Sequence, residues 1–506
     1  MRKTPQRLWV RGALAGALIL GVAGCGTDTE GESTPAATEM SVLTGSEPRS
    51  LNCAEVFPFD QMVSVAFVER LAPTDEDFQP TKDGLVDDWE QTTPTTWRLR
   101  TRDGITFSNG EPWNAEALKF SLDTLRTTEG SVTAYFQTIT DVKVEDERQV
   151  TVTTAAPSNA VPALLAFGCG FPPDYYGKVG ASGFGEKPIG TGPYVMQSWE
   201  RGQQVTAARN ENYWGGSPKL EQITWKFVPD QTTQVNLLTT GGGDVALNLP
   251  TERLKDVETA GFRVITTKSG NQQNIQMNTT HGQLASPELR KAVAMAIDRD
   301  AIVEVILGGN GVGADVTTKL FPDIFGTSGS SDIGFDKDAA RKLVKAAGGA
   351  KVTLHYTVGR YPKDQDVAEA VAGMLSDVGF DVERDPLDGA NFFAMKSDPG
   401  FDGLWIAAGA ATLSHPDVLV NAFLGSRPAK QYCPGEEYDA DGTAGLAAPT
   451  PDEAAAIYTR IEDRALNQDL CFVPLYVAKA LTGTKEGVEI RRGYDTLIDY
   501  RTLGWN

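Results

Sequence analysis

Residues 351–384 change periodicity twice, and that change limits the folds open to this chain. KVTLHYTV (351–358) alternates like a strand. Val367, Val371, Met374 and Val378 then recur at the spacing of one apolar helix face, with Gly379 at the C-cap. Phe380-Asp381-Val382-Glu383 alternates again. Two strands joined by a helix cannot form a hairpin. They lie parallel in one sheet through a right-handed crossover, which makes the chain α/β.

The first half carries hairpin signals instead. Trp97-Arg98-Leu99-Arg100 alternates, Asp103-Gly104 turns, and Ile105-Thr106-Phe107 is expected to return as a strand. Asn109-Gly110 is a second turn, and Asn114 is placed to cap a helix with Leu118, Leu122 and Leu125 on one face. Tyr194 to Trp199 reads as a strand, Arg201-Gly202 as a turn, and a second strand follows. Over 221–249 the pattern is strand, a helix capped by Asp230, then Gly241-Gly242-Gly243-Asp244 opening a short strand. Ser286 and Pro287 start a helix faced by Leu289, Val293 and Ile297. Thr450-Pro451-Asp452-Glu453 is a capping box before Ile457 and Ile461, and 471–476 is a following strand. No solenoid-type repeat occurs.

The N-terminus points outside the cell. Arg2, Lys3, Arg7 and Arg11 precede the apolar run GALAGALILGVAG, which ends at Cys25. Basic, apolar, small is the layout of a secretory signal, and the run is too short to span a bilayer comfortably. Val22-Ala23-Gly24-Cys25 resembles a bacterial lipobox, which implies cleavage before Cys25 and acylation of that residue. Each buried methylene then adds about 0.8 kcal/mol of anchoring. Residues 26–39 are rich in Gly, Thr, Glu, Ser and Pro and read as a flexible tether. Loss of residues 1–24 takes the formal charge from -21 to -25. That excess argues against nucleic acid, whose phosphates need clustered Lys and Arg. Cys53, Cys169, Cys433 and Cys471 remain, an even number that suggests disulfides in an exported chain, with three pairings open. His281, His355 and His415 are far apart and show no metal-ligand spacing, so neither metal nor cofactor is expected.

Several blocks now combine: DGLVDDWE (83–90), WRLRTRDGITFSNGEPWNAE (97–116), GTGPYVMQSWERGQQVTAARNENYWGG (190–216), NIQMNTT with LRKAVAMAIDRDAIVEVILGGNG (274–311), FDKDAARKLVKAAGG (335–349) and the tail from Asp463 to Tyr476. In this order they resemble the extracytoplasmic solute-binding proteins of family 5, receptors of ABC importers for peptides, nickel chelates and related solutes. The resemblance covers nearly the whole mature chain. It implies a two-lobed periplasmic-binding-protein type II fold with an extra subdomain in lobe I. Residues 1–24 are then the signal and 25–39 the tether. Lobe I holds 40–75, the extra subdomain 76–187, then 188–273 and 476–506. Lobe II is 274–475. This layout favours Cys53 with Cys169 and Cys433 with Cys471, each pair within one lobe. The resemblance also implies a monomer at the membrane surface, in the periplasm or on the outer face. It would capture a small molecule or peptide by hinge closure and hand it to membrane-bound ABC permease subunits, with ATP hydrolysed by other subunits.

In open α/β sheets ligands sit at the carboxyl ends of strands. Arg360 follows the 351–358 strand, where dipeptide-binding relatives carry an arginine for the ligand carboxylate, and a guanidinium donates two parallel hydrogen bonds. Those relatives also carry an aspartate that pairs with the peptide ammonium. Here that position falls on Thr412 or Leu413, both uncharged. A buried ammonium without a counter-charge costs several kcal/mol. The expectation is that a free peptide N-terminus is not bound in the usual way, with Asp417 and Glu47 as substitutes. Trp405, His415 and Phe57 are candidate pocket walls, and Asn278 a candidate at the ligand or the hinge. A non-peptide carboxylate, a sugar or a metal chelate is the alternative cargo. The chain is not read as an enzyme. It has no GxSxG elbow and no Walker A sequence, and Gly308-Gly309-Asn310-Gly311 follows a helix rather than a strand. A secreted hydrolase is the alternative of another class.

Overall fold

The computed structural model describes residues 38–506 apart from 57–60, 76, 131, 310–311, 322, 359–360, 362, 388–390, 392–394, 396–400, 411–413, 427–431, 434 and 494–495. The leader, Cys25 and the tether to residue 37 therefore lie outside the described residues.

Two large sheets organise the chain. The first has seven strands in the spatial order Arg263–Thr267, Ala480–Thr484, Val245–Leu247, Glu39–Thr44, Gln222–Phe227, Gln204–Arg209 and Tyr194–Glu200. Glu39–Thr44 runs parallel to both its neighbours, and the other pairs are antiparallel. The second sheet has six strands in the order Ala314–Val316, Phe472–Ala478, Asn271–Met277, Leu404–Ala410, Ala350–Thr357 and Phe380–Leu387. The crossover unit is as the periodicity requires: Ala350–Thr357 is parallel to Phe380–Leu387, with helix Asp364–Asp377 between them. Gly379 ends that helix at φ 105, a conformation that favours glycine.

The chain passes between the sheets twice, at 268–270 and at Lys479. The Ser269 hydroxyl donates to the Ala478 carbonyl and ties the two crossings together. The second sheet begins at Asn271 and ends at Ala478, a few residues outside the 274 and 475 limits set by sequence. A separate four-stranded antiparallel sheet, Val86–Thr93, Thr96–Thr101, Gln149–Thr154 and Ile139–Val144, lies within the 76–187 segment.

Local signals set the helix starts that the sequence marks. Asn114, Asp230, Ser286 and Thr450 each accept a backbone N–H from three residues on with a side-chain oxygen. One strand assignment fails. Ile105-Thr106-Phe107 does not return alongside Thr96–Thr101, whose neighbours are Val86–Thr93 and Gln149–Thr154. It instead forms a tight loop in which the Phe107 N–H donates to the Glu111 carbonyl at 2.8 Å and Gly110 takes φ 89. Both sheet-facing positions are occupied, so burial of Ile105 and Phe107 is met by loop packing.

The first lobe centres on Trp225, fully buried, with Phe67 and Tyr500 edge-on at 5.7 and 5.5 Å and its indole N–H on the Tyr500 hydroxyl at 2.8 Å. In the second lobe, Leu289, Val293, Val367 and Val371 pack from helices onto Ile275, Leu354 and Val473. Cys53 is bonded to Cys169 and Cys433 to Cys471.

Candidate ligand cleft

Strand direction locates the site. Glu39–Thr44, Gln222–Phe227 and Val245–Leu247 are mutually parallel, so Thr44, Phe227 and Leu247 share one edge of the first sheet. Leu247 pairs with Thr482, just beyond the second crossing. In the other sheet Ala350–Thr357 runs with Phe380–Leu387 and Leu404–Ala410, so Thr357, Leu387 and Ala410 share an edge. Ala410 pairs with Asn271, the first residue after the first crossing. Both carboxyl edges therefore face the hinge, which is where open α/β sheets hold ligands.

Two residues not singled out from sequence link the lobes here. Lys363 follows Thr357, takes a left-handed conformation at φ 60 and sets its ammonium 3.0 Å from Glu252, which follows Leu247 in the first lobe. The hydrogen bond from Lys363 to Glu252 raises the lysine pKa. Lys363 lies in the same loop as Arg360, so the loop was legible and its lobe-bridging member was not.

Arg360 and Phe57 lie outside the described residues, as do Thr412 and Leu413. The others fall in different places. Trp405 lies among buried aromatic side chains. It is the second residue of Leu404–Ala410 and pairs with His355, two residues before Thr357 on the neighbouring strand. It is 1% exposed and packs edge-on against Phe401 at 5.1 Å and Tyr432 at 4.8 Å, so it is a core side chain. Asn278 follows Met277, at the end of its strand away from the hinge. Fully buried, its amide donates to the Phe401 carbonyl at 2.5 Å and accepts the Thr280 backbone N–H at 2.9 Å, which holds a turn.

Glu47 stands on the first lobe's lip, but its charge is engaged. It accepts the Trp199 indole at 2.8 Å and the Gly202 N–H at 3.0 Å, with Arg201 at 3.7 Å. Arg201 also lies over the Trp199 ring at 3.4 Å. His415 reaches the other lobe: its Nε2 meets the Asn159 Oδ1 at 2.9 Å, while Nδ1 accepts the Asp417 N–H at 3.2 Å. Burial pushes its pKa down to about 4. Asp417 begins helix Asp417–Phe423 and is half-buried.

A cavity of about 160 Å³ lies inside the first lobe, lined in part by Glu69, Trp214, Tyr500 and Arg501, and is separate from the cleft. Glu69 there accepts Tyr213 at 2.6 Å and Trp214 at 2.7 Å. Among the described residues, the His/Cys/Asp/Glu group with metal-ligand spacing is Cys433, Asp469 and Cys471. Its two sulfurs are joined to each other, so they offer no thiolate and the group does not suit a metal. No helix among the described residues is long and apolar enough to cross a membrane.

Comparison with known proteins agrees with this geometry. The glutathione-binding protein GsiB of Salmonella typhi is 26% identical over 473 residues, covering 88% of this chain and 90% of that protein. The substrate-binding protein CtaP of Listeria monocytogenes superposes with a TM-score of 0.81 at 19% identity, covering 93% of this chain and 99% of that one. A dipeptide-binding protein from Pseudoalteromonas sp. SM9913, solved with Met-Leu, gives 0.81 at 18% identity, covering 92% and 100%. These two fix the fold as the two-lobed type II binding-protein architecture. Residues 81–431 match the family described as bacterial extracellular solute-binding proteins, family 5 Middle, and the chain belongs to that family.

Proposed function

We propose that this chain is a receptor that takes up a small solute, by family habit a peptide, between its lobes and delivers it to an ABC importer permease. The observation that carries this reading is the pair of carboxyl strand edges facing each other across two short crossings. Such lobes close on a ligand that touches both, and the closed population rises with the contacts made only there. Relatives named for glutathione and solved with Met-Leu favour a peptide-like cargo. Acylation at Cys25 and the tether 26–39 are proposed to hold a monomer at the membrane surface. Arg360 is proposed to grip a ligand carboxylate. Glu47 is already engaged by the Trp199 indole, the Gly202 N–H and Arg201, which supports the reading that a free peptide ammonium finds no usual partner here, with Asp417 as the remaining candidate.

The test is thermal-shift screening of the full chain against dipeptides, N-acetylated peptides, glutathione, sugars and nickel-histidine chelates. A ligand that binds the folded state alone raises its melting point by mass action. Arg360→Ala is expected to weaken a carboxylate ligand by about ten- to a hundredfold, since a charge-assisted hydrogen bond contributes about 1.5–3 kcal/mol. A hit turned over to product rather than returned intact would replace the receptor reading with a hydrolase. Dipeptides that bind tightly and lose affinity on N-acetylation would reverse the ammonium reading.

A further inference from the structure

Asn159 belongs to the first lobe's subdomain, immediately before helix Val161–Phe167. Every polar group it has, save its carbonyl, is spent on the second lobe. Its backbone N–H donates to the Leu446 carbonyl at 2.8 Å. Its Nδ2 donates to the carbonyls of Gly445 at 2.9 Å and Ala448 at 3.2 Å. Its Oδ1 receives His415 at 2.9 Å. The receiving surface is built for close approach. The Tyr458 ring stands edge-on to His415 at 5.7 Å, and a Cβ on Gly445 would fall 2.7 Å from that ring.

We propose that Asn159 and His415 form a clasp that holds the two lobes shut and that acid releases it. The clasp rests on the receptor reading for its purpose, while its existence is a matter of lobe geometry alone.

The hydrogen bonds fix the ring's proton. Asp417 N–H points at Nδ1, so Nδ1 carries the lone pair and Nε2–H donates to Asn159. A second proton on Nδ1 would set two donors against each other. The groups facing the ring are the Asn159 amide from the subdomain, the Tyr458 ring from helix Pro451–Asp463, and the Asp417 N–H from its own helix. Among the described residues no charged side chain is hydrogen-bonded to it. In the closed form burial holds the pKa near 4. Opening the lobes returns it toward the ordinary histidine value of about 6.5. The open form therefore binds the proton more readily, so closure is unaffected above about pH 6.5 and weakens as pH falls below it. At pH 5 the closed-to-open ratio should drop by up to about thirtyfold.

Small-angle X-ray scattering on the ligand-free full chain at pH 7.5 and pH 5.0 tests this, with circular dichroism to establish that each variant is folded. Wild type should be compact at pH 7.5 and expand at pH 5.0. Asn159→Ala, and Asn159→Asp, which keeps the size but turns a carboxylate toward two carbonyls, should be expanded at both. His415→Gln keeps an N–H donor without a titration and should stay compact at both. Equal radii of gyration for wild type and the Asn159 variants at pH 7.5, or acid expansion of His415→Gln matching wild type, would overturn the clasp. Scattering needs no ligand, so a failed ligand screen leaves this test intact.

Discussion

Replacing Cys53 and Cys169 together with alanine should cost more stability than any other change to the subdomain's attachment. The two residues are 116 apart in sequence, and the loop they close holds the whole sheet between Val86 and Thr154. Closing a loop of that length removes chain entropy from the unfolded state worth about 4–5 kcal/mol in the loop-entropy model, with measured losses of about 2–5 kcal/mol on removing native disulfides. The Cys433–Cys471 bond spans only 38 residues and should contribute up to about 1 kcal/mol less on the same model. Both cysteines of the longer loop are buried, at 3% and 1% exposure, so alanine also leaves small voids. A guanidinium titration of the double variant under non-reducing conditions should show an earlier transition for the subdomain, with the second lobe's transition little changed. An unchanged first transition would mean that packing of the subdomain's Leu85 and Phe136 in one apolar cluster with Leu71 of the first lobe holds the subdomain without the bond.

What could be read from sequence was what chemistry decides within a few residues. The caps at Asn114, Asp230, Ser286 and Thr450 act over three residues, and each is present. The crossover at 350–387 was legible because both periods and Gly379 agreed. Contacts between distant segments left no local trace. His415 and Asn159 are 256 residues apart, and nothing around Asn159 announces a partner. The strand Asn271–Met277 carries little local signal of its place. Gln272, Gln273, Asn274 and Gln276 are all at most 2% exposed in the middle of a sheet, where apolar side chains are the usual occupants. Gln273 donates to Asn271 and Gln276 to Asn274 along the strand, each at 2.9 Å, and Gln272 donates to the Lys319 carbonyl. Alternation places a side chain on a face of a sheet. It does not say which end of the strand opens on the cleft, and Asn278 follows the end away from the hinge.

The same distinction governs Trp405, where a pocket wall and a core side chain predict opposite phenotypes. Trp405→Ala removes a ring that is 1% exposed and meets Phe401 and Tyr432 edge-on. A large-to-small change of this kind costs about 3–5 kcal/mol through lost transfer energy and the cavity left behind. The lost edge-to-face pairs account for about 0.5–1.5 kcal/mol each within that sum. Trp405→Phe keeps part of the packing and should lose less. Urea melts should therefore show a large fall in midpoint for the alanine variant. Isothermal titration with whichever probe the thermal screen selects, done where the variant is still folded, should give a dissociation constant within a few fold of wild type. The strand's other end, at Ala410, is the one that reaches the cleft. Preserved stability with binding lost would return Trp405 to the pocket and require the ligand to enter between the second sheet and the Phe401–Tyr432 cluster, deep inside one lobe, where hinge closure would have no part in its capture.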